Sequence, residues 1–66
     1  MQVMIQFDTD NAAFEDDFEA ELRAVMKAAT DRAIRMHSRD ESGCRALRDT
    51  NGNLIGWTTY TIVDGN

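Results

Sequence analysis

The chain has no proline, one cysteine and one histidine among its 66 residues. It also has no repeat, low-complexity tract or linker. Nothing divides it, so a single domain over residues 1–66 is expected. With Cys44 alone, an intramolecular disulfide and a thiolate cluster for zinc are both excluded. A lone thiol fits a reducing compartment. The opening MQVMIQF lacks the basic start and apolar run of a secretory signal, and no stretch approaches the length of a membrane span. A soluble, cytoplasmic protein is the expectation. A chain this short buries roughly 60% of the surface it exposes when unfolded, which leaves little room for a deep catalytic cleft. Its hydrophobic fraction of 42% argues against disorder.

The first 22 residues contain no lysine or arginine. What they contain instead is acid: Asp8, Asp10, Glu15, Asp16, Asp17, Glu19 and Glu21, a charge of −7 over residues 8–21. Residues 22–66 hold all seven basic residues against five acids, a charge of +2, and the two parts sum to the net −5. Such asymmetry predicts an electrostatic partner surface. An acidic block makes a poor direct ligand for DNA or for anionic membranes.

Hydrophobic periodicity gives the fold. Residues 2–8 alternate, with Val3, Ile5 and Phe7 on one face, which predicts a half-buried strand. Asp10 and Asn11 are good caps for a single helical turn over 11–14. Phe14, Phe18, Leu22, Val25, Ala29, Ala33 and Met36 then follow at spacings of four and three, the mark of one apolar helix face. The helix is expected from about Asp16, with Asp16 and Glu19 as a capping-box-like start, to about Ser38. Two strands follow, over 44–49 and 53–63, joined by TNG. A two-residue turn at Asn51-Gly52 would set Leu47 opposite Gly56. A type I turn over Thr50-Asn51 with a left-handed Gly52 sets Leu47 opposite Ile55. The second register, which places Leu47, Ile55 and Trp57 on one face, is preferred. The expected fold is α+β, in the order β-α-β-β, with one long helix packed on a three-stranded antiparallel sheet. The preferred strand order is 1-3-2, because it makes every neighbour antiparallel.

Catalytic constellations are missing. His37 lies near the helix C-terminus, where a partly charged imidazole complements the dipole. A Cys44–His37 nucleophile pair would lack a third group to orient it. No catalytic residue is therefore assigned. The DTDN segment begins like a calcium loop, with Asp8, Asp10 and Glu19 at positions 1, 3 and 12. However, Ala12 and Ala13 stand where an oxygen ligand and a glycine are needed. DTNGN fails likewise at Leu54. No glycine-rich phosphate cradle is present, and no metal or cofactor is expected. Phe7, Phe14, Phe18, Trp57 and Tyr60 are read as core. Ile34, opposite the apolar stripe, is an exposed apolar residue.

The acidic block exceeds what helix physics asks for. Acids in a first turn each gain roughly 0.3–1 kcal/mol from the dipole, which covers Asp16, Asp17 and Glu19, while Asp10 can cap. Glu19–Arg23, Lys27–Asp31 and Asp31–Arg35 are ordinary i,i+4 pairs. The remaining acids have little opposite charge nearby. If the whole block were helical, its charges would fall about every 3 Å, close to the ~3.4 Å of one DNA strand. They lie within a Debye length of ~8 Å and repel one another. A partner with a basic groove is a reason to keep them, and steering would speed the encounter.

The segments DTDNAAFEDD and LRDTNGNLIGW, with a helix between them, resemble small proteins of phages and mobile elements. Among these the chain is most similar to anti-CRISPR proteins, in particular inhibitors of the type I-C system. The resemblance implies a non-enzymatic inhibitor that binds the crRNA-guided surveillance complex (Cascade) and blocks its access to target DNA. A monomer in the cytoplasm of a bacterial host is the expectation. Its partner would be the DNA-binding groove of the large Cascade subunit. Asp8, Asp10, Glu15, Asp16, Asp17, Glu19 and Glu21 would stand in for phosphates, with no chemistry performed. The alternative is a small phage accessory or structural protein that binds a protein partner through an apolar surface or a sheet edge.

Overall fold

The alternating N-terminal residues form β1 (Gln2–Phe7), in which Ile5 and Phe7 turn toward the core. The structure is a computed structural model and describes residues 1–62. After a short connection Asn11 caps α1 (Ala12–Asp16), its Oδ1 accepting from the Phe14 amide at 3.4 Å. Asp17 then leaves helical geometry, with φ −155° and ψ 87°, and caps a second helix, α2 (Phe18–Ser38). Its Oδ1 accepts from the Ala20 amide at 3.1 Å. The expected start at Asp16 is therefore one residue early. The residue three beyond the true cap is Ala20, so no capping box forms.

At its other end α2 closes in a Schellman arrangement. The Glu41 amide donates to the Met36 carbonyl at 3.0 Å and the Asp40 amide to the His37 carbonyl at 3.1 Å. Asp40 has a left-handed φ of 55°, a position that usually falls to glycine.

β2 (Gly43–Arg48) and β3 (Leu54–Thr61) complete a sheet of order β1-β3-β2, antiparallel throughout, with α2 across one face. The α+β architecture and strand order are those the sequence predicts. The expected end of β3 at Val63 lies outside the described residues. Phe14, Val25, Ala29, Leu47 and Ile55 form the core, with Ile5, Phe7 and Leu22 packed against it.

The hairpin turn is also as predicted. The Gly52 amide donates to the Asp49 carbonyl at 2.9 Å across Thr50-Asn51, and Gly52 has φ +86°. The register beyond it is not. Arg48 faces Leu54 while Leu47 faces Gly56, so Ile55 is an extra residue bulged out of the ladder. This corrects the expected Leu47–Ile55 pairing. The bulge turns Ile55 inward without a facing partner and passes the inward positions to Gly56, Thr58 and Tyr60. At Gly56 β1 comes so close that a Cβ would lie 1.9 Å from the Gln6 carbonyl oxygen and 2.5 Å from Phe7 Cα. Only glycine fits there.

Trp57 is consequently on the uncovered face of the sheet, 49% exposed, and does not join Leu47 and Ile55 in the core. Phe18 also departs from its expected place. It is 53% exposed at the start of α2, its ring 5.9 Å from that of Phe14. The break at Asp17 sets Phe14 into the core from α1 and leaves Phe18 at the rim.

Candidate partner-binding surface

Three consecutive segments carry the acids predicted to bind a partner. Asp8 and Asp10 follow β1, Glu15 and Asp16 end α1, and Asp17, Glu19 and Glu21 begin α2. The Asp8 amide donates to the Ile55 carbonyl at 3.0 Å, which fixes this exit from the sheet. The corner at Asp17 means that the carboxylates wrap around one end of the molecule and do not follow a single helical line.

Six of the seven are exposed. Glu19 holds Arg23 at 3.2 Å, with both side chains well into solvent, and such a pair neutralises little. Asp8, Asp10, Glu15, Asp16 and Asp17 have no lysine or arginine nitrogen within 4.0 Å among the described residues. Asp17 spends one oxygen on its cap, which leaves its charge in place.

Glu21 is different. It is 7% exposed, and its carboxylate ties α2 to the hairpin turn. Oε2 accepts from the Thr50 amide at 2.8 Å, and Oε1 accepts from the Thr50 hydroxyl. Its charge serves the fold, so Glu21 is not among the freely presented carboxylates. No sequence spacing announces this, because Thr50 is 29 residues away. The turn it anchors is stiffened from within: Asp49, itself buried, accepts from the Asn53 amide at 2.9 Å and from Asn53 Nδ2 at 3.2 Å.

The two residues considered for nucleophilic chemistry are held apart. His37 Nδ1 and Tyr60 Oη share a hydrogen bond of 2.7 Å on the helix side of the sheet. Cys44 faces the other side, where it accepts from the Thr59 hydroxyl at 3.7 Å. Among the described residues no three His, Cys, Asp or Glu side chains converge as metal ligands would. No helix among them is long and apolar enough to cross a membrane.

The far end of α2 has the opposite charge. Arg32, Arg35 and Arg39 lie beside Arg45 of β2 along one groove. Of the two pairs expected at Asp31, the one with Lys27 forms at 2.9 Å, and the one with Arg35 is not made. The i, i+3, i+7 spacing of the helix arginines was visible in the sequence, but the approach of Arg45 required the fold.

Comparison with protein-family models, curated proteins and solved structures found no match for this chain.

Proposed function

We propose that this protein is a non-enzymatic binding module whose acidic end occupies a basic, nucleic-acid-binding groove of a partner protein. The observation that carries the reading is the set of five exposed carboxylates, Asp8, Asp10, Glu15, Asp16 and Asp17, without a cationic partner among the described residues. Their mutual repulsion is relieved by a surface rich in lysine and arginine, which would otherwise take phosphates. The resemblance of the sequence to type I-C anti-CRISPR proteins supplies the partner to test: the large subunit of Cascade, in the cytoplasm of a bacterial host. The protein acts there as a monomer and blocks target DNA by occupying its site.

Charge reversal tests this directly. Glu15, Asp16 and Glu19 neither cap a helix nor reach the core. The triple change of these residues to lysine keeps the helix content seen by circular dichroism. It is expected to abolish binding to purified type I-C Cascade. Undiminished binding by the folded triple variant would remove the basis of the reading. Affinity of the unaltered protein should also fall steeply between low and physiological salt.

A second reading draws on the uncovered face of the sheet. Trp57 and Met4, diagonal neighbours across β1 and β3, are both about half exposed there. An apolar partner surface could cover them. Trp57→Lys would weaken that mode and spare the electrostatic one.

A further inference from the structure

The acidic end does not exhaust the charge on this molecule. Six of its seven basic residues are arginines, and four of the six line one groove between the C-terminal half of α2 and β2. The groove encloses about 320 Å³, with Ala28 and Met36 contributing apolar wall. Arg32, Arg35 and Arg39 enter from the helix, and Arg45 enters from the strand. Two acids share the lining. Asp31 is engaged by Lys27 at 2.9 Å, and Glu41 makes no ion pair within 4.0 Å among the described residues. Among the described residues, four guanidinium groups against two carboxylates leave an excess of +2.

Helix physics covers part of this arrangement. Cations at Arg35 and Arg39 complement the negative end of the α2 dipole. It does not ask for Arg32 a turn earlier, nor for Arg45 on another element. Arg32 Nη1 donates to the Ala28 carbonyl and Arg45 Nη1 to the Cys44 carbonyl, each at 3.2 Å. Each guanidinium therefore has donors left over, because it carries five.

Gly43 gives a separate indication. A Cβ there would lie 2.9 Å from Arg45 Nη1 and 3.5 Å from Met36 Sδ. The missing side chain is what lets the Arg45 guanidinium lie back over the strand beside Met36.

From this we infer that the groove binds the phosphate groups of a small ligand, of the size of pyrophosphate or the diphosphate of a nucleotide. Arginine forks approach from two sides, and a tetrahedral anion with several oxygens can accept from both. A planar carboxylate offers two oxygens to one fork. The volume lies at the lower end of small-ligand sites. The lining has no aromatic side chain to stack a base, so recognition rests on the phosphates. A nucleic acid strand is disfavoured, since a long polyanion would also meet the net charge of −5. The inference is independent of the acidic end and of any partner there.

Calorimetric titration with inorganic pyrophosphate at low salt, alongside ADP and a short oligothymidylate, tests it. Pyrophosphate and ADP should bind with similar affinity. Arg35→Gln and Arg45→Gln should each weaken them about tenfold, with the helix signal unchanged. Gly43→Ala, which displaces only the far end of Arg45, should weaken binding to a lesser degree. Absence of pyrophosphate binding at millimolar concentration overturns the inference. So does binding that is indifferent to both arginine substitutions. Tighter binding of the oligothymidylate than of pyrophosphate would replace it with a nucleic acid site. Salt-sensitive self-association abolished by Arg35→Gln would instead name the acidic end of a second copy as the occupant.

Discussion

The two ends of this molecule, within an envelope 44 Å long, handle charge differently. At the start of α2 one carboxylate, Glu21, is drawn inside and bound by Thr50, and its neighbours are left outside. At the far end no arginine of the groove is buried. The acidic end is thus partly architectural: its hairpin turn hangs from a buried acid. At the arginine end Arg32 is partly buried and the other three arginines are exposed, so the core would persist without their charges. Charge sign alone would make the ends simple opposites, whereas burial shows that they also differ in how charge is tied to the fold.

Substitution can break or sharpen that contrast. The largest effect is expected at Gly56, beneath the strand end that leads to Asp8. A Cβ there collides with β1 backbone. Gly56→Ala should cost ~3 kcal/mol or more in chemical denaturation and loosen the acidic end first. Glu21→Ala comes next. Loss of its bonds to Thr50 should cost about 2 kcal/mol, while Glu19→Ala leaves the unfolding midpoint in place. Equal effects at the two glutamates would erase the distinction between the buried acid and its exposed neighbours. At the other end Asp40→Gly relieves a left-handed aspartate and should stabilise by about 1 kcal/mol. The smallest effect belongs to Glu15→Gln with Asp16→Gln. Removing like charges should leave stability unchanged or slightly raised, and partner binding weakened.

The fold was largely legible because its signals are local. The alternation of Val3, Ile5 and Phe7, the stripe through Leu22, Val25, Ala29 and Met36, and the Asp-Thr-Asn-Gly turn each act over a few residues. What escaped depends on distant parts of the chain. The bulge at Ile55 accompanies the close approach of Gln6 and Phe7 to Gly56, and with it the position of Trp57. The break between α1 and α2 is half legible: Asn11 reads as a cap, but the Asp16–Glu19 spacing points to Asp16, one residue before the true cap at Asp17. Of the seven acids chosen from the sequence, Glu21 is the one the fold withdraws. Its partner lies on a turn that no helical period can reach. The arginine groove is not legible from i,i+4 pairing, which offers Asp31 to both Lys27 and Arg35; the fold gives it to Lys27 and brings Arg45 in from another element.

The central claim, that the acidic end takes the place of nucleic acid on a partner, is tested most directly by competition. Purified type I-C Cascade would be incubated with labelled double-stranded target DNA and increasing amounts of this protein. The account predicts displacement of the DNA by the unaltered chain and none by the triple lysine variant at Glu15, Asp16 and Glu19. Simultaneous binding of protein and DNA, or equal displacement by both chains, would contradict it.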